Sequence, residues 1–202
     1  MKTVTYSRTS MVVGGLLAFV ACHDATAPVI QDESNLSLSY ADGATYQATG
    51  EPAFEGGDLS SATFATAYPD SVGGYVISAF QQTDGSTGDL FILQLTDRQT
   101  GAHGPCGTGG DCHGRILEDF DAATLQLGGT YWEITSGTVQ VDQSGPDRLT
   151  GSFSDLVLEA QNSSEPDRTI QSGTFDLKLL SDEEGKAAMG CFLASATGSG
   201  TC

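Results

Sequence analysis

Two cysteines, two of the chain's three histidines and six glycines fall within residues 101–114, GAHGPCGTGGDCHG. Sulfur and imidazole at that density could hold a metal, carry a haem or close a disulfide. Zinc takes four such ligands in a tetrahedron, and His103, Cys106, Cys112 and His113 are the right atoms for it. The spacing H-x2-C-x5-C-H departs from the usual C-x2-4-C pairs, and the adjacent Cys112 and His113 would have to turn onto one ion. Haem attachment reads C-x-x-C-H, and five residues between the cysteines place the two thioethers badly. A disulfide asks only for an oxidising compartment. The stretch is therefore expected to be a stapled surface loop, with no metal or cofactor and with His103 and His113 exposed.

Catalysis has few other candidates. A histidine base could come only from His23, His103 or His113, and no G-x-S-x-G elbow, H-E-x-x-H helix or phosphate loop with lysine is present. Glu118, Asp119 and Asp121 in EDFDAA could pair as acid and base. These carboxylates, and Asp84 and Asp89 in DGSTGD, could also offer oxygen ligands to calcium, but neither set has the spacing of a known calcium loop. Solvated turns are the expected reading, and no catalytic residue is assigned. Tyr131 and Trp132 are adjacent on an expected strand, so they face opposite sides of a sheet. One would pack in a core and the other could line a ligand pocket.

The N-terminus supplies the compartment. MKTVTYSR carries Lys2 and Arg8 with no acid, and MVVGGLLAFV is a ten-residue apolar run, the pattern of a secretory signal too short to span a bilayer. It closes on FVAC, which resembles the lipobox of bacterial lipoproteins, with Phe19 in place of the usual leucine. The resemblance implies removal of residues 1–21, a lipid on Cys22 as the new N-terminus, and a membrane partner reached through that lipid. His23 stands where an aspartate is linked to inner-membrane retention in that family, which favours the outer membrane of the cell envelope. With Cys22 lipidated, Cys106, Cys112, Cys191 and Cys202 leave no odd thiol. Of their three pairings the local one, Cys106 with Cys112 and Cys191 with Cys202, joins near neighbours across segments that turn easily. Each staple is expected to contribute about 2 to 3 kcal/mol.

These residues must be positioned by a domain, and its grammar is that of strands. Residues 22–34 are polar with Pro28 and no period, as a tether needs. From Asn35, NLSLSYADGATYQAT alternates, turns at Asp42-Gly43 and alternates again, a hairpin. SATFATAY, GYVISAFQ, DLFILQL, RILEDF, TLQL, TYWEITSGTVQV, RLTGSFSDLVLEA and TIQSGTFDLKL continue it, and SDEEGKAAMG is the best candidate for a short helix. Residues 35–202 are expected to form a single all-β domain, an antiparallel β-sandwich or β-barrel with at most one short helix. The net charge of −18 has all 26 acids beyond residue 22. Phosphate backbones are repelled by such a surface, which argues against nucleic acid as a partner.

Ser136-Gly137-Thr138-Val139, Thr150-Gly151-Ser152-Phe153 and Ser172-Gly173-Thr174-Phe175 repeat one pattern, and glycine there is expected to mark a bulge or a close backbone approach. The order GTYWEITSGTVQV, RLTGSFSDLVLEA, IQSGTFDLKL resembles β-rich exported lipoprotein domains of unknown function, which implies a β fold and no particular activity. The resulting expectation is a lipid-anchored, non-catalytic envelope protein that binds a ligand or partner. Its rivals are a carboxylate-based envelope hydrolase and a purely structural envelope protein.

Overall fold

Alternation of apolar and polar residues recurs through the chain, and the computed structural model, which describes residues 33–50 and 63–185, turns it into eleven strands. Cys22, Cys191 and Cys202 lie outside the described residues, and so do the expected lipidation site and the expected second staple. The first hairpin joins β1 (Asn35–Tyr40) to β2 (Thr45–Thr49). Its turn is set by Asp42, whose Oδ1 accepts the N–H of Ala44 at 2.9 Å, as aspartate does where it mimics a backbone turn.

β3 (Phe64–Pro69), β4 (Tyr75–Asp84) and β5 (Thr87–Leu95) form a meander. The β3–β4 turn closes on Asp70, whose Oδ1 accepts N–H groups from Val72, Gly73 and Gly74 at 3.0, 2.8 and 2.7 Å. β6 (Gly101–His103), β7 (Cys112–Asp121), β8 (Gln126–Leu127), β9 (Tyr131–Ser144), β10 (Arg148–Ala160) and β11 (Arg168–Lys178) follow. Residues 182–185 make one helical turn. A reciprocal pair of bonds opens it, Glu184 N–H to Ser181 Oγ at 3.1 Å and Ser181 N–H to Glu184 Oε2 at 2.9 Å, a capping box.

The main sheet runs β2-β1-β11-β10-β9-β7-β5-β4-β3, antiparallel at every named pairing, with β6 added to β9 and β8 to β7. Its two edges approach each other. Ala65 N–H reaches Gly50 O at 3.0 Å, Leu180 N–H reaches Ala67 O at 2.9 Å, and Ala67 bridges Leu179. The fold is thus an all-β sheet nearly closed into a barrel, which protects strand edges that would otherwise stay open.

Inward residues fill that barrel. Leu36, Leu38, Ile77, Phe91, Leu93, Trp132, Phe153, Phe175 and Leu177 belong to one buried cluster. A second cluster, Phe64, Phe80, Leu90, Phe120 and Ala122, lies on the opposite face of β3, β4, β5 and β7. Both faces of these strands carry core, which is why YVISAF and LFILQL read as almost unbroken apolar runs.

The repeated glycines are structural. Gly151 faces Phe175 and Phe153 faces Gly173 across β10 and β11, so each ring lies over the opposing glycine. A Cβ on Gly151 would sit 2.0 Å from Gln140 O and 2.4 Å from Phe175 Cζ, and one on Gly173 would sit 2.6 Å from Ser37 O. Gly137, at φ +114°, stands where the β9–β10 register shifts between Ser154 and Val157. The pattern occupies strand interiors, not a ladder of hydroxyls at a ligand site.

Candidate functional site

The cysteine-rich stretch is built into the sheet. Cys106 and Cys112 form a disulfide with Cα atoms 4.4 Å apart, and both are buried. Cys106 N–H bonds Gly137 O at 3.0 Å and Gly107 N–H bonds Cys112 O at 2.8 Å, so the staple rivets the start of β7 to the β9 bulge. The two histidines diverge. His113 is exposed on the outer face of β7, whereas His103 is buried on β6, its Nε2 2.9 Å from Gln99 O and its Nδ1 3.8 Å from Asp97 Oδ1. The expectation of an exposed His103 is corrected by strand pairing: β6 joins β9 at Val139–Val141, and the alternation turns His103 inward. With both sulfurs joined to each other, the four atoms of the zinc reading do not converge. Among the described residues no three or more His, Cys, Asp or Glu side chains are placed to share a metal ion.

The acidic candidates meet at one end of the barrel. Arg168, entering β11, donates from one NH to Glu118 Oε1 at 2.6 Å and lies 3.5 Å from Asp42 Oδ2. Its guanidinium stands 4.5 Å from the centre of the Tyr40 ring and 5.5 Å from that of Trp132. Beside it Tyr46 donates its hydroxyl to Asp89 O at 3.2 Å. Strands β1, β2, β5, β7, β9 and β11 are tied across this end, which is plugged by Arg168 and two tyrosines. Burial pushes the phenols of both Tyr40 and Tyr46 well above their ordinary range.

Asp89 and Asp121 have structural tasks. Asp119 adopts φ +49° at a bulge between β5 and β7, and its N–H bonds Asp89 Oδ1 at 3.1 Å. Asp121 accepts Ser86 Oγ–H at 2.7 Å and Ala123 N–H and Thr124 Oγ1–H at 2.8 Å, which together hold its carboxyl below the usual range. Asp84 is exposed at the end of β4, paired with Thr87.

Asp89 is held above the usual carboxylate range, first by burial and then by the charges of Glu118 and Asp119, against the N–H of Asp119 and the guanidinium of Arg168. Its folded value exceeds its unfolded value, so ionising it opposes folding at neutral pH and the penalty vanishes once pH falls below the unfolded value. Asp89→Asn keeps an acceptor for Asp119 and removes the charge. The variant should unfold at higher urea than the parent at pH 7, with the difference fading as pH drops through the carboxylate range. Equal midpoints at pH 7 would contradict this account.

The open site lies on the outer wall. Ile92 and Gln94 of β5, His113 and Arg115 of β7, and Tyr131 and Glu133 of β9 line a groove of about 180 Å³. The register makes it: Gln94 faces His113, Ile92 faces Arg115, Arg115 faces Glu133, and Leu117 faces Tyr131. Trp132, one residue from Tyr131, is fully buried, so the two aromatics divide between core and groove as alternation requires. Gln94 spends its Nε2 on Asp70 Oδ2 at 2.6 Å, and its oxygen has no partner among the described residues. Arg98, Arg148 and Arg168 are engaged by carbonyls or carboxylates. Arg115, His113 and Glu133, by contrast, have no side-chain hydrogen bond or ion pair among the described residues.

Comparison of the chain with protein-family models, with curated proteins and with solved structures finds no match.

Proposed function

We propose that this chain is an exported protein held at the bacterial cell envelope by a lipid on Cys22, and that its barrel binds a ligand on the outer wall without chemical transformation. The observation that carries the binding site is the contrast between inward side chains packed into one buried cluster and an outer groove in which Arg115, His113 and Glu133 are unspent among the described residues. The inward side chains among the described residues form one continuous buried cluster, while convergent free polar groups beside an aromatic are what a binding site offers. Of the acidic residues that could pair as acid and base, Asp121 is bonded within its turn, Asp89 holds the bulge and Glu118 is paired with Arg168. The address rests on the apolar run ending in FVAC, and the Cys106–Cys112 disulfide fits an oxidising compartment.

Anchoring is tested by Cys22→Ser in the full chain expressed in a bacterium. Acyl labelling should disappear and the protein should move from the membrane to the soluble envelope fraction, because stable attachment would have depended on the lipid. Membrane retention of that variant without acyl label would refute the lipid anchor.

A further inference from the structure

We infer that the outer groove on β5, β7 and β9 takes a sugar ring bearing a carboxylate, a uronic-acid type of saccharide. This inference rests on the reading of that groove as the binding site and names its ligand class. The chain carries a net charge of −18, so most of its surface repels anions. Arg115 is exposed within the groove and unpaired among the described residues. A guanidinium presents two parallel N–H donors in the geometry of a carboxylate, which makes an unspent one a specific receptor rather than a diffuse field.

The neighbours of Arg115 narrow the anion. Glu133 stands directly across the strand from it, so a dianionic phosphate would meet twice the repulsion that a monoanionic carboxylate meets. An apolar acid such as a fatty acid fits poorly, since it would cover Glu133, His113 and the Gln94 oxygen without returning hydrogen bonds, and buried unpaired polar groups are costly. A ring with several hydroxyls supplies those bonds. Its hydroxyls donate to Glu133 and Gln94 and exchange bonds with His113, while its apolar C–H face lies against Tyr131 and Ile92. The volume of about 180 Å³ is below the 300 Å³ or more of a drug-sized pocket. It suits one ring of a longer glycan rather than several.

The test titrates the full-length chain in detergent, with backbone amides followed by NMR, using D-glucuronate, D-glucose, glycine and inorganic phosphate as separate probes. Glucuronate should give saturable shifts on β5, β7 and β9, with a Kd on the order of 1 mM for a single ring. Glucose should bind at least about tenfold more weakly, the scale of one lost charge-assisted hydrogen-bond pair. Arg115→Gln and Tyr131→Ser should each weaken glucuronate by about tenfold or more, and the exposed Arg115→Gln variant should keep the parent's thermal melt. Equal binding of glucose would overturn the carboxylate. Stronger binding of glycine or phosphate at the same residues would overturn the ligand class and leave the groove as the site. Glucuronate shifts that map away from these strands would overturn the groove itself, and silence with all four probes would overturn the saccharide.

Discussion

Gly151→Val is expected to leave little or no folded barrel. The Cβ it adds would lie 2.0 Å from the carbonyl oxygen of Gln140 and 2.4 Å from the ring of Phe175, and the first of these is backbone in the middle of the β9–β10 ladder. A side chain can rotate away from a clash, but a ladder carbonyl can move only by giving up its register. Overpacking a well-filled core costs about 1 to 3 kcal/mol when side chains absorb it. Here the loss should reach about 3 kcal/mol or more, a large share of the 5 to 15 kcal/mol that usually separates folded from unfolded domains. Urea unfolding followed by circular dichroism measures it. Gly145→Ala is the control, since its Cβ meets nothing closer than 3.4 Å. Adding Phe175→Ala to Gly151→Val removes the ring but not the Gln140 oxygen, so the double variant should not recover. Recovery would mean that the ring, and not the ladder, sets the requirement for glycine.

That reciprocal pair also indicates what a reader of the sequence could see. The spacing Gly-x-Phe in SGTF and TGSF places each glycine two residues before an aromatic, and antiparallel pairing with Gly151 opposite Phe175 brings both glycines under rings at once. Period-two alternation identified the strands, and both the β1–β2 turn at Asp42 and the single helical turn near SDEEG follow from local chemistry. Strand β6 and the first residues of β7 were hidden, because glycine-rich GAHGPCGTGGDCHG has no side-chain alternation to announce them. They are strands only because β9 and β5 pair with them. Non-local pairing also decides barrel against sandwich, since closure depends on β1 meeting β11 and on β3 reaching Gly50 and Leu180.

The same limit governs the groove. That Tyr131 and Trp132 part to opposite faces was legible from adjacency alone. That Tyr131 joins Ile92, Gln94, His113, Arg115 and Glu133 was not, because the meeting requires β7 to lie between β5 and β9, a placement that no local pattern encodes. The acidic cluster shows the converse. Glu118, Asp119 and Asp121 are close in sequence, yet a bulge and a turn separate their tasks: ion pair, backbone corner and hairpin cap.

Trp132→Ala carries the other large expected loss. The indole is fully buried, flanked across the ladder by Ile116 on β7 and the small Ala160 on β10, and Arg168 stands over its ring. Truncation removes the largest side chain of the core and leaves a cavity that the closed sheet cannot easily collapse, a change that costs about 3 to 5 kcal/mol. The platform of Arg168 goes with it, loosening the bond from Arg168 to Glu118 that ties β11 to β7 across the plugged end. Trp132→Phe separates the contributions. It keeps an aromatic face for Arg168, deletes less volume, and discards an Nε1–H that is buried without an acceptor among the described residues. Leaving such a donor unpaired costs about 1 to 3 kcal/mol, so its removal offsets part of the lost packing. The phenylalanine variant should therefore lose less than half of what the alanine variant loses in urea unfolding. A double-mutant cycle with Arg168→Met should show coupling for Trp132→Ala and little for Trp132→Phe, because only the first removes the ring face. Equal losses for the two Trp132 variants would show that volume alone holds this end of the barrel, and that the guanidinium over the indole contributes nothing measurable.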